Sequence, residues 1–324
     1  MGALIIMNKT KKLTQGAMLL AIVGAVMLID RQLSFAFEYF VFMAAPVIII
    51  IYTSMYDLKD GGILSFGLLA IGLLFGSTLA YFYIPLGIVV GLSSSVALKK
   101  NTKRSIFMII CMLSFVIGEI VYTLIVMPLL GIDISTQIAE GTTFISEMGL
   151  LDVLKQFISN INMFITAIFF ASIIITGIME GFFTYFLSII LLKRLKIKDV
   201  GISGSDQLIM SPTLAYILFI NTGLMFVVVR FQTLMEKYEL LSYIIIILSL
   251  LSSVALFYYG YIFITIYFRI MFGKRSFFIS LLAVIFLFPT SYIILIIIGF
   301  LYGAGPLRAY LDKFKITKNE NEKD

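Results

Sequence analysis

The sequence is a succession of apolar stretches of about 20 residues separated by short polar breaks. A helix of that length crosses the hydrocarbon core of a bilayer, because each residue adds about 1.5 Å. Of the 324 residues, 61% are apolar and 13% charged, which is more apolar surface than a soluble domain can bury. We therefore predict an all-α integral membrane protein, a polytopic helical bundle of about 8–10 transmembrane helices.

Ten apolar segments are candidate membrane helices. They lie near 14–30, 33–52, 62–79, 80–98, 105–130, 162–192, 212–230, 240–268, 277–288 and 290–304. The third and fourth are predicted to meet at 81–85, which ends in Pro85 and carries no charge. The last two flank Pro289 and form either a tight hairpin or one long kinked helix.

The cationic residues predict the orientation of the chain. If the ten segments alternate across the membrane, 20 of the 24 Lys and Arg residues fall on one side. The positive-inside rule places that side, and both termini, in the cytoplasm, which favours the hairpin at Pro289. We therefore predict a multi-pass protein of the bacterial cytoplasmic membrane. The net charge of +6 then reflects topology, and no nucleic-acid partner is expected.

The polar breaks predict four parts of the chain. These are a six-span membrane core at 1–198, a cytoplasmic linker at 199–212, C-terminal membrane helices at 213–307 and a basic cytoplasmic tail at 308–324. Low hydropathy and high charge predict that the tail is disordered from Lys315 onward.

Before the sixth span, the segment Ile145–Ile161 is predicted to form one amphipathic helix on the outer side. Such a helix is either a packed surface element or a lid over a substrate site. Its apolar face would carry Met148, Leu151, Leu154, Ile158 and Ile161.

The composition excludes several kinds of active site. The chain has no His, which excludes His-based zinc sites and Ser-His-Asp triads. Its single cysteine, Cys111, lies in an apolar run and is predicted to be a buried, small hydrophobic residue. We find no motif for an ATPase, a protease or a glycosyltransferase, and expect no catalytic residues, no metal and no cofactor. The sequence predicts a protein that is not an enzyme.

Three carboxyl groups lie inside predicted spans, at Glu38, Glu119 and Glu180. Charged groups in hydrocarbon are costly and mark functional sites by default. Glu119 and Glu180 each lie roughly 20 Å from the cytoplasmic boundary, counted from the nearest basic residues at about 1.5 Å per residue. These three residues either donate structural hydrogen bonds between helices or bind a substrate or ion. Because the spans offer no Lys or Arg at that depth, a bound ligand is expected to be cationic.

The first span has a face of small residues, formed by Ala17 and Ala21 with Gly16 and Gly24 nearby. Small residues four apart let a second membrane helix approach closely. This face resembles the Ala-x-x-x-Ala surface of the substrate-binding components of energy-coupling-factor vitamin transporters. The resemblance implies docking of the first helix on a membrane partner, and a six-helix core with both termini in the cytoplasm.

Over most of its length the chain also resembles the YybS-like bacterial membrane proteins. The resemblance rests on the segment from Lys11 to Ala21, on Tyr56–Gly62, on the basic linker that ends at Pro212, and on a last short hairpin followed by a basic tail. That family is similar to the same substrate-binding components, although the four extra spans depart from their pattern.

Two functions from different classes remain open. The first is a membrane transport component, a substrate-capture subunit for a small-molecule ligand that docks on a membrane-protein partner through its first helix. The second is a scaffold or regulator that binds other membrane proteins and transports nothing. A transport subunit is expected to show a water-accessible cavity lined by Glu119 or Glu180, whereas a scaffold is expected to seal them in helix contacts.

Overall fold

The protein is described by a computed structural model that covers residues 2–100, 102, 104–158, 160–197, 210–231, 237–272 and 290–321. Across these ranges the backbone forms helices joined by turns. Within them, eight helices are long and apolar enough to cross a membrane, or nine if one sharply bent pair is counted as a span. The prediction of an all-α, polytopic membrane protein is confirmed. The orientation of the termini stays a prediction.

We number the described helices α1 to α12 in chain order. They are α1 Gly2–Gln32, α2 Glu38–Met55, α3 Leu58–Phe75, α4 Ala80–Lys99, α5 Arg104–Val121, α6 Ile134–Glu147, α7 Leu150–Phe157, α8 Ile161–Arg194, α9 Pro212–Arg230, α10 Glu239–Phe272, α11 Thr290–Ala304 and α12 Pro306–Asn321. The π-helical stretch Tyr122–Val126 and a last turn, Met127–Leu129, continue α5.

Most predicted spans coincide with observed helices, and the predicted segment at 80–98 agrees with α4, which begins at Ala80. The break lies before Ala80, because Gly76 ends α3 in an extended conformation. Pro85 lies inside α4, so the prediction of a break at 81–85 is wrong. The predicted segment at 277–288, Pro289 and most of the linker at 199–212 lie outside the described residues.

Contacts between Cα atoms divide the chain into two compact units. The first contains Met1–Ile134 and Ile173–Ile202, and the second contains Ser135–Ser172 and Ser203–Asp324. The long helix α8 thus contributes its first part to the second unit and its remainder to the first. The boundaries predicted at 198, 212 and 307 stay predictions.

In the first unit, α2 and α4 pack closely because α4 offers glycines to a proline-containing face of α2. A Cβ on Gly91 would lie 2.8 Å from the Ile49 Cβ, and one on Gly87 would lie 3.1 Å from the Pro46 Cδ. Missing side chains at these positions let the helices approach closely, as in other membrane bundles. The surrounding core is apolar, with Ile49 and Val90 fully buried.

One end of the first unit is held by polar contacts among α1, α2 and α3. The Lys12 ammonium lies 2.7 Å from the Asp60 carboxylate, and the Tyr52 hydroxyl donates to the Lys12 carbonyl at 2.9 Å. Tyr56 hydrogen-bonds to Gln15 in the same region. The two sequence motifs that begin at Lys11 and at Tyr56 therefore contact each other and join α1, α2 and α3.

In the second unit, polar and small residues join α9, α10 and α11. Asn221 of α9 donates to the Ser252 hydroxyl of α10 at 2.8 Å. A Cβ on Gly260 would lie 2.1 Å from the Leu295 carbonyl oxygen, so the backbones of α10 and α11 are in contact.

The outer segment before α8 is not one continuous amphipathic helix. Gly149 has a φ of +70° and separates α6 from α7, and Ile158 is extended before α8 begins. The prediction of a single helix over Ile145–Ile161 is therefore wrong. Part of its apolar face is correct, because Leu154, Ile158 and Ile161 pack with the core of the second unit, whereas Met148 is exposed.

The basic tail is also more ordered than its composition indicates. Gly305, with a φ of +118°, ends α11, and Pro306 begins α12. Proline suits the first position of a helix because its missing N–H has no intrahelical partner there. The helix extends to Asn321, so the prediction of disorder from Lys315 onward is wrong over that range.

Candidate functional site

The candidate site lies where α8 crosses α5 in the first unit. Gly177 and Gly181 lie four residues apart on α8, hence on one face. A Cβ on Gly177 would lie 2.6 Å from the Val116 Cα, and one on Gly181 would lie 2.4 Å from the Met112 Cα. The two antiparallel backbones therefore touch. This approach is available only to glycine, because any side chain would overlap the facing backbone.

The crossing brings Glu119 and Glu180 together. Val116 faces Gly177, and Met112 faces Gly181. Counting along both helices from these contacts places Glu119 and Glu180 six positions apart, which is about 9 Å along the axis. Side chains on a helix lean toward its N-terminus, so on antiparallel helices these two long side chains lean toward each other. Both carboxyl groups are buried, and each acts electrostatically on the other. We call Glu119 and Glu180 the carboxyl pair.

The carboxyl pair is closed off from solvent. Glu119 is 5% exposed and Glu180 is 4% exposed. Two ionised carboxylates in one buried site repel each other, so the pair is less costly when one of them carries a proton. One oxygen of each group, Oε1 of Glu119 and Oε2 of Glu180, has no hydrogen-bond partner among the described residues. The site therefore has unused acceptor capacity in a low-dielectric environment.

Aromatic rings from three elements surround the pair. Tyr83 acts electrostatically on the Glu119 carboxyl and is acted on by it. The Tyr83 ring stacks on Phe42 at 5.1 Å and lies 5.9 Å from Tyr39 and 5.5 Å from Tyr122. Glu119 also acts electrostatically on Tyr39 and Tyr122. Aromatic faces carry partial negative charge, so these rings and the carboxyls favour a positively charged ligand.

Glu38, the third predicted site residue, has a different set of contacts. It begins α2, and its two carboxylate oxygens accept from the Ser77 N–H at 2.9 Å and from the Ser77 hydroxyl at 2.6 Å. These bonds fix the turn between α3 and α4. A role for Glu38 in ligand binding stays a prediction.

The small face of α1 is divided between the interior and the surface. Gly16 and Gly24 are buried, and they face Tyr52 of α2 and Ile71 of α3 respectively. Ala17 and Ala21 are exposed, as is Ala25 one turn further on. The two glycines therefore serve internal packing, and the alanines form a bare stripe on the outer surface of the first unit.

A cleft of about 280 Å³ lies elsewhere in the first unit. Its lining includes Lys12, Tyr52 and Asp60, at the end where α1, α2 and α3 are joined. The carboxyl pair does not line this cleft. The site formed by Glu119 and Glu180 is thus an occluded one in this structure.

The sequence did not indicate the aromatic part of the site. Tyr122 lies three residues after Glu119, and i, i+3 residues share a helix face, so that spacing was a usable signal. Tyr83 and Tyr39 come from other helices, and no spacing along the chain relates them to Glu119. Cys111 is buried as predicted.

A buried carboxyl pair inside a bundle of membrane-spanning helices places the chain among polytopic helical membrane proteins. The family described as "Predicted membrane protein (DUF2232)" matches residues 11–301, and the chain belongs to this family. No curated protein and no solved structure matches the chain.

Proposed function

We propose that the chain is the substrate-capture subunit of a membrane transport system and binds a small organic cation at the carboxyl pair. The observation that supports this most is the pairing itself: two acidic side chains, each more than nine-tenths buried, share one site with tyrosines. The protein acts in this proposal by binding and not by catalysis. We also propose that the chain is a YybS-like protein and is similar to the substrate-binding components of vitamin transporters.

The charge balance of the site favours a cation. The residues that act electrostatically on Tyr39, Tyr83 and the carboxyl pair are carboxyls and phenols, with no Lys or Arg among those the structure describes there. Two carboxyl groups in one buried site cannot both ionise cheaply in low dielectric. A monovalent cation offsets one of the two negative charges, as the shared proton does. An anion would meet only repulsion.

Docking on a partner is assigned to the exposed stripe of Ala17 and Ala21. Because neither side chain extends beyond a methyl group, a partner helix can reach the α1 backbone and gain van der Waals contact that lipid chains do not supply as well. We propose a transmembrane helix of a transporter module as the occupant of this stripe.

A scaffold or regulator is the second candidate. One observation favours it: the carboxyl pair is sealed among helices, which suits a structural hydrogen bond between α5 and α8. In that case the stripe on α1 would bind a partner, and the pair would bind no solute. Measuring cation binding separates the two candidates.

The test uses the purified protein in nanodiscs and isothermal titration calorimetry. Methylammonium and tetramethylammonium are titrated as cationic probes, and acetate as the anionic probe. We expect binding of at least one cation and none of acetate. Glu180→Gln should weaken cation binding about tenfold or more, because it removes a buried charge partner while keeping the shape of the side chain.

The matched control is Asp152→Asn, which makes the same change at a carboxylate on the surface of α7. It should leave the affinity unchanged. Equal binding by the wild type and Glu180→Gln, or acetate binding as tight as that of the cations, would contradict the proposal. Absence of binding for all three probes with an intact fold would favour the scaffold.

A further inference from the structure

Buried polar atoms without a partner are concentrated on one face of α8. Within the described residues, five buried side-chain nitrogen or oxygen atoms lack a hydrogen-bond partner. Four of them belong to Glu119, Glu180, Thr184 and Ser188. Glu180, Thr184 and Ser188 follow at intervals of four residues, so they form a single row on the helix.

The hydroxyls in this row lack the backbone bond that several other buried hydroxyls of the membrane helices make. Serine and threonine within helices usually donate to the carbonyl four residues earlier. Thr53 does so at 2.8 Å, Ser65 at 2.8 Å and Thr265 at 2.9 Å. Thr184 and Ser188 are fully buried and lack that bond. Their oxygens are therefore free to bind something else.

The row connects the carboxyl pair with one end of the bundle. At 1.5 Å per residue, Ser188 lies about 12 Å from Glu180 along the axis, and Lys193 lies about 8 Å further. Lys193 is in the last turn of α8, the end that the basic residues predict to be cytoplasmic. Buried polar groups that lack protein partners are commonly satisfied by ordered water.

We propose that the carboxyl pair exchanges its shared proton with this end of the bundle through waters held by Thr184 and Ser188. The proton leaves the pair for a water bonded to Thr184, and each water or hydroxyl that accepts a proton passes another on. The O–H bond broken at the carboxyl is replaced by one on the next oxygen, so no group is oxidised or reduced. The groups that face the pair are Tyr83 from α4, Tyr39 from α2 and Tyr122 from the π-helical stretch.

Glu38 also acts on Tyr39, but its oxygens are engaged by Ser77 and it lies outside the row. The path concerns the same site as the proposed function, although it does not require a cation to bind. An empty or a non-transporting protein would still exchange its proton by this route. Failure of cation binding and failure of the path are therefore separate results.

The experiment follows the carboxyl proton directly by infrared spectroscopy. Full-length protein in nanodiscs is moved from H₂O to D₂O, and the C=O stretch of protonated carboxyls shifts as deuterium replaces hydrogen. Glu119→Gln with Glu180→Gln identifies the band of the pair by its loss. The double variant Thr184→Val with Ser188→Ala should slow the shift of that band about tenfold. Loss of one hydrogen bond from the path corresponds to about that factor in rate.

The matched control is Thr53→Val, which removes a buried hydroxyl that is already paired with Ser95 at 2.6 Å. It should leave the exchange rate unchanged. If the double variant does not fold, Ser188→Ala alone should still slow exchange. An unchanged rate in the folded Thr184 and Ser188 variants, equal slowing by Thr53→Val, or no protonated carboxyl band from the pair would overturn the proposal.

Discussion

Replacing Gly181 with alanine tests the geometry that creates the site. The new Cβ would lie 2.4 Å from the Met112 Cα and 2.6 Å from the Met112 nitrogen, about 1 Å short of ordinary van der Waals contact. Because both atoms are backbone, no side chain can rotate away. If the two helices move apart by 0.5–1 Å, each atomic contact between them loses roughly a quarter to a half of its attractive energy. We expect this overpacking to lower the free energy of unfolding by about 1–3 kcal/mol, toward the upper end of that range.

Gly62→Ala is the matched control. A Cβ there meets nothing within 4 Å, and Gly62 lies in α3, within the same unit as Gly181. Both substitutions gain about 0.5–1 kcal/mol of helix propensity, so this gain cancels between them. The difference in unfolding free energy, measured by SDS titration in mixed micelles with far-UV circular dichroism, should therefore be roughly 1–3 kcal/mol. Equal stability of the two variants would refute backbone contact between α5 and α8.

Two further predictions concern the first unit. Ala17→Leu should dissociate the proposed complex with a partner helix, seen as faster migration on native gels of solubilised membranes. Ala70→Leu, at an exposed alanine of α3, should leave migration unchanged, and equal migration of both variants would count against docking. The Lys99 ammonium, hydrogen-bonded to Asp57, holds the pKa of that carboxyl below its usual range. The ionised Asp57 therefore stabilises the fold above about pH 4, and this stabilisation is lost as the pH falls through the pKa of the folded state. Asp57→Asn should keep the helix N-cap and flatten the fall of the melting temperature with acid, and an unchanged acid profile would contradict this assignment.

The membrane class and most helix positions could be predicted from sequence, because the bilayer imposes a fixed length of apolar helix. Turns were harder. The break before Ala80 depends on Glu38, which lies 39 residues away from Ser77 and binds it. The break at Gly149 depends on a left-handed glycine inside an otherwise continuous amphipathic pattern. Neither event leaves a hydrophobic signal in the sequence.

The carboxyls of the candidate site could be selected from sequence, since an acidic residue in a membrane helix is rare and conspicuous. Their depth, counted from the nearest basic residues, also indicated that Glu119 and Glu180 lie at one level. Which helices pack against each other is a tertiary property, so Tyr39 and Tyr83 could not be assigned to the site. The free hydroxyl of Thr184 could not be predicted either, because it depends on a side-chain rotamer.

The central claim is that a cation replaces the proton shared by Glu119 and Glu180. Calorimetric titration of methylammonium in two buffers with different ionisation enthalpies measures how many protons are released per cation bound. At neutral pH we expect release of about one proton by the wild-type protein, and close to none by Glu180→Gln. Binding of methylammonium by the wild type without proton release, or equal release by Glu180→Gln, would contradict it.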